Sequence, residues 1–160
     1  MKNPIAAVLA TALLGQVAWA AELTAEEFVT KASEAGIAEA QLGALAARKG
    51  ASAEVRAYGE RMVADHGHAN RELEALAKSK GLEVAREPGL EFKQAVEELD
   101  RKSGADFDAA FTRRMVADHA EAVALFTSAS RLADKELAGF ASRTLPTLQD
   151  HHQKAQHLAH

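Results

Sequence analysis

The six residues Arg-Met-Val-Ala-Asp-His occur twice in this 160-residue chain, at Arg61 to His66 and again at Arg114 to His119. In both copies Met and His stand four apart, a spacing that stacks them on one face of a helix. Each copy sits in a longer three-four pattern. The first runs Val55, Met62, His66, Ala69, Leu73, Leu76, and the second runs Phe107, Phe111, Met115, His119, Ala122, Phe126, Ala129. The repeat therefore predicts two comparable amphipathic helices with Met and His on the inward face of both.

Two more helices complete the set. Thr24 with Glu27 three residues on is a capping-box start, followed by Phe28, Ala32, Ala35, Glu39, Leu42 and Ala46 up to Gly50. Ser52 can cap the next helix and Gly81 can stop it. A last helix starts near Asp134 and shows Leu137, Phe140, Ala141, Thr144, Leu148, His151, Ala155 and Leu158, with Pro146 inside it as a predicted kink. Leu82 to Ser103 is polar, holds Pro88-Gly89, and carries one short helical piece from Leu90 to Leu99. With 5% aromatic residues and abundant Ala, the helices are expected to pack closely. The predicted fold is all-α: a ferritin-like four-helix bundle over 21–160, its long crossover joining the second and third main helices. The pattern alone also admits a plain up-down-up-down bundle.

Residues 1–20 are of another kind. Lys2 is their sole charge, Ile5 to Leu14 is almost wholly apolar, and Ala18-Trp19-Ala20 gives an A-x-A cleavage site before Ala21. This reads as a secretory signal peptide and places the product in the periplasm. An apolar run of about ten residues is short of the ~20 a membrane span needs, so no transmembrane segment is expected in the mature chain. Losing Lys2 takes the formal charge from -4 to -5. That sign argues against nucleic acid as a partner. Oligomeric state and protein partners are not readable. With no Cys, disulfides, thiolate ligands and thiol nucleophiles are all excluded. No phosphate loop, G-x-S-x-G elbow or H-E-x-x-H stretch is present, so no catalytic residue is assigned.

Each inner face carries one polar residue in its middle: Glu39, His66, His119 and His151. All lie about 13 to 17 residues from their helix starts, hence at one height. Left unpaired, each would cost on the order of 1 to 3 kcal/mol. Two solutions are open. The four can close a hydrogen-bonded ring without metal, leaving a stress or interaction protein that works through its surface. Or they can ligate one ion, Zn or Cu being suited to three nitrogens and one oxygen, for storage, buffering or sensing. Met62 and Met115 then lie one turn away, while Asp65 and Asp118 are expected to orient an imidazole or pair with Arg61 and Arg114. A Lewis-acid enzyme would need a cleft beside the ion as well. His68 falls on the outer side of its helix, and His152, His157 and His160 read as a polar end.

The combination of Glu39, Met62-x-x-Asp65-His66, Gly104-Ala105-Asp106-Phe107-Asp108, His119 and Leu145-Pro146-x-Leu148-x-x-His151 resembles the bacterial family known as domain of unknown function 4142. Members are often labelled membrane or outer-membrane proteins. The likeness spans essentially the mature chain and implies an exported ferritin-like bundle, without implying a reaction. The chain departs from di-iron ferritins, which place Glu three residues before His on two helices. Here Val63, Val116 and Leu148 stand three residues before the three His, so di-iron chemistry is disfavoured.

Overall fold

A computed structural model describes residues 22–160; the signal-peptide reading falls on residues outside that range. The described chain is all-helical: α1 (Ala25–Lys49), α2 (Ala53–Ser79), α3 (Leu90–Asp100), α4 (Gly104–Ala129) and α5 (Lys135–Leu158). No helix among the described residues is long and apolar enough to cross a membrane.

The helix ends form where local chemistry provides for them. Thr24 Oγ1 accepts from Glu27 N while Glu27 Oε2 accepts from Thr24 N, both at 3.1 Å, which satisfies two of the free donors at the start of α1. Ser52 Oγ accepts from Val55 N at 3.1 Å, and Asp134 Oδ1 accepts from Glu136 N and Leu137 N at 3.0 Å. Gly81, at φ 69°, lets the chain turn after α2 so that Leu82 N reaches Ala77 O at 2.9 Å. Within α5 the helix continues through the exposed Pro146.

Alpha1 and α2 form a tight hairpin about Gly50 to Ser52. Their backbones approach so closely that a β-carbon on Gly59 would lie 2.5 Å from Gly43 O and 2.6 Å from Ala47 N. Asp108, from the first turns of α4, grips the hairpin tip by accepting from Ala51 N at 2.9 Å and Ser52 N at 2.8 Å. At the far end Lys80 reaches Asp134 at 2.8 Å, joining the close of α2 to the start of α5. Alpha1 also packs on α4, and α5 packs on both α4 and α2.

Contact partners fix the directions. Phe28 meets Phe126 while the α1 end of the hairpin meets Asp108, so α1 and α4 are antiparallel. Glu72 meets Arg143 and Asp65 meets His151, so α2 and α5 are antiparallel too. Consequently α2 and α4 run the same way, and the connection between them must return along the outside. Ser33 Oγ holds that connection by accepting from Ala85 N at 2.8 Å.

Among the described residues the core is two clusters, not one. Phe28, Phe126, Phe140, Leu73 and Leu137 belong to the first; Tyr58, Met62, Phe107, Phe111 and Met115 belong to the second.

Candidate metal centre

Between the two clusters lies a polar layer. On every long helix a buried ionisable residue interrupts the apolar face at this level: Glu39 between Ala32 and Leu42, His66 between Met62 and Leu73, His119 between Met115 and Phe126, His151 between Leu148 and Ala155. His151 is 0% exposed, His119 1%, Glu39 4% and His66 7%. Such groups are stable inside a protein only when each polar atom finds a partner.

The three imidazoles meet. Ring centroids are 5.6 Å apart for His66 and His119, 5.4 Å for His66 and His151, and 5.3 Å for His119 and His151. One nitrogen from each lies within 4.8 Å of the other two. The hydrogen bonds on the outer side fix two tautomers. His119 Nδ1 stands 3.0 Å from the Met115 carbonyl, which can only accept, so Nδ1 carries the proton and Nε2 the lone pair. His151 Nε2 stands 2.8 Å from Asp65 Oδ2 and donates to that carboxylate, leaving the lone pair on Nδ1. His119 Nε2, His151 Nδ1 and His66 Nε2 are all buried without a hydrogen-bond partner.

Electrostatics keeps the three rings neutral. Burial, then the nearness of His119 and His151, lowers His66 to about 3; burial, then His151, lowers His119 to about 4. His151 is lowered by burial, against the opposing pull of Asp65. Burial acts on Asp65 in the upward direction, but hydrogen bonds from His151 and Arg61 outweigh it and hold this carboxyl below its usual range. Neutral imidazoles with free lone pairs are the protonation state a metal ion requires.

Glu39 is not part of this triad of nitrogens. Its carboxyl faces Asp118, and burial followed by the Asp118 charge pushes it well above the ordinary carboxyl range. Asp118 is itself raised by burial, with Arg114 at 2.6 Å opposing. The sensible assignment is a protonated Glu39 donating to an ionised Asp118. Glu39 Oε2 is left buried and unpartnered. Met62 and Met115 are both fully buried in the cluster next to the layer. Arg61 pairs with Asp65 at 3.1 Å and with Asp150 at 2.9 Å. His68, His157 and His160 are exposed and His152 is half-buried.

The family model described as domain of unknown function matches residues 12–158. The chain belongs to the DUF4142 family. No curated protein matches it. In this DUF4142 chain the motif residues converge in space: the Met-x-x-Asp-His stretch supplies His66 and Asp65, the α5 motif supplies His151, and Asp108 ties down the loop that carries α1 into α2.

Sequence reasoning passed over Tyr58. Its hydroxyl donates to the His151 carbonyl at 3.1 Å and its ring stands edge-on to the His151 ring, with centroids 6.1 Å apart. The signal was present, since Tyr58 fills the step between Val55 and Met62 at three-four spacing. Equally unforeseen is a cavity of about 480 Å³ beside the layer, lined by His66, Glu39 and Asp118 at one end and by Leu73, Phe126 and Phe140 at the other.

Proposed function

We propose that this protein is an exported, ferritin-like four-helix bundle that binds one metal ion through His66, His119 and His151, in storage, buffering or sensing. The observation carrying this reading is that three buried rings, each with a buried nitrogen that has no hydrogen-bond partner, stand so close that one ligand nitrogen from each lies within 4.8 Å of the others. A hydrogen-bonded ring would leave no such nitrogens. Ion binding gives all three lone pairs a partner at once, and it suits rings already fixed from behind by the Met115 carbonyl and Asp65. The ferritin-like assignment is supported by the antiparallel pairs α1/α2 and α4/α5 and by the long return from α2 to a parallel α4. Export is supported by the A-x-A site and by the charge and apolar pattern before it.

Three protein nitrogens suit Zn and also Cu. Glu39, which faces Asp118, is not needed among the residues that would hold the ion. The bound ion would supply Lewis acidity; the chain's own part is to hold three neutral imidazoles together, two of them fixed by hydrogen bonds from behind, and to bury those two almost completely. Met62 and Met115 pack beside the layer, and only a soft ion such as Cu(I) would draw on their sulfurs.

The test uses untagged mature protein recovered from the periplasm, where N-terminal sequencing is expected to read Ala21 first. Metal analysis should find about one Zn or Cu per chain. At a hundredfold excess over the dissociation constant, binding to the native state alone stabilises by about 2.7 kcal/mol. Added metal should therefore raise the melting temperature of the wild type and leave His66→Ala/His119→Ala unmoved. Equal melting curves with and without metal in both proteins would refute the metal reading.

A further inference from the structure

The cavity beside the polar layer has two unlike ends. Along α2 it runs from His66 to Leu73, about 10 Å at 1.5 Å per residue. One end holds Glu39 and Asp118; the other is walled by Leu73, Phe126, Phe140 and Leu148. Its rim lies where the chain entering α3 leans over α1, with Gly89 against the Glu34 carboxylate and Glu91 and Phe92 at the edge.

Charge is as uneven as polarity. Glu34, Glu91, Asp118 and Glu121 line the space together with the protonated Glu39, and Lys31 is the one cationic side chain among the described lining residues. Arg114 is already engaged by Asp118 at 2.6 Å. Independently of the acidic lining, Glu39 is buried and its Oε2 has no hydrogen-bond partner. That atom calls for a donor. Water could give one, but the half of the space walled by Leu73, Phe126, Phe140 and Leu148 offers further waters few polar partners.

We propose that the cavity is a binding site for a small organic ammonium compound, its charged nitrogen donating to Glu39 and its hydrocarbon part lying along Leu73, Phe126, Phe140 and Leu148. An ammonium group supplies the missing donor and carries the sign that the acidic lining selects. A carboxylate of the same length would meet like charge at both the rim and the polar end. A neutral hydrocarbon would leave Glu39 Oε2 unsatisfied. The site does not depend on the trihistidine metal reading, because none of the groups that hold the amine in this arrangement is one of the three imidazoles.

The experiment titrates the metal-free mature protein, in the presence of chelator, with n-hexylamine, 1-hexanol and hexanoate, reading chemical-shift changes and calorimetric heats. Hexylamine should bind about tenfold or more tightly than either of the others, the size expected when a charge-assisted hydrogen bond is present or absent. Ala122→Phe and Ala69→Phe each place a ring in the cavity from a different helix, and whichever is folded by circular dichroism should lose hexylamine binding. Glu39→Leu should abolish the preference for amine over alcohol. Hexanoate binding as tightly as hexylamine, no binding by any probe, or unchanged hexylamine affinity in a folded cavity-filling variant would overturn the proposal. Metal stabilisation of the wild type is read separately and can stand or fall without it.

Discussion

His66 gives a direct handle on the polar layer through pH. Its folded-state pKa of about 3 lies below the ordinary value of 6.5. The unfolded chain therefore binds the His66 proton first as pH falls, and stability is lost below about pH 6.5, down to the folded value. Between pH 7 and pH 5 the unfolded form gains most of one proton while the folded form gains almost none. At 1.36 kcal/mol per unit, that is a loss of about 2 kcal/mol. His119, lowered to about 4, acts in the same sense. Glu39 acts in the opposite sense, because its raised pKa favours the folded form as acid is added. A comparison of wild type with His66→Gln in chelator cancels the common terms. Urea unfolding at pH 7 and pH 5 should show the wild type losing about 2 kcal/mol more than the variant. Equal losses in the two proteins would mean that His66 titrates as an exposed imidazole, and the buried triad would be refuted.

Two further outcomes follow from backbone contacts. Gly59→Ala puts a β-carbon against Gly43 O and Ala47 N, and overpacking of that kind costs about 1–3 kcal/mol, more than the 0.5–1 kcal/mol that Ala gains in a helix; Gly67→Ala, whose nearest obstacle is the flexible Arg71 at 3.6 Å, should instead stabilise by about 0.5–1 kcal/mol, and thermal melts of the pair check both signs. Asp108→Ala removes the acceptor for Ala51 N and Ser52 N and should cost about 1–2 kcal/mol, with Asp108→Asn, which keeps one acceptor oxygen, recovering about half in the same melts.

The helix ends were legible because they depend on residues three or four apart: Thr24 with Glu27, Ser52 with Val55, Asp134 with Leu137. The meeting of His66, His119 and His151 was legible for a related reason, since each stands mid-helix on an apolar face. The partner of Glu39 was not. Asp65 and Asp118 occupy the same place in the repeated hexamer, yet Asp65 meets His151 on α5 and Asp118 meets Glu39 on α1. Which of these an Asp on the flank of a helix will find depends on which helix stands beside it, and that is set by the return path between α2 and α4. The cavity was hidden for the same cause: it is bounded by residues from all five helices together, none of which signals a void locally.

The two hexamers, placed on parallel α2 and α4, give the polar layer an approximate two-fold rotation. A half-turn about the long axis exchanges α2 with α4 and α1 with α5; it carries Arg61 and Asp65 onto Arg114 and Asp118, and His66 onto His119. Only one pair of corners fails to match, for the same rotation carries His151 onto Glu39. The layer is thus a four-cornered ring in which three corners present nitrogen and one presents a carboxyl. That single broken equivalence gives the ring a direction, turning its carboxyl corner toward the cavity that Glu39 lines, so whatever enters from that side meets an acid before it meets the imidazoles of α4 and α5.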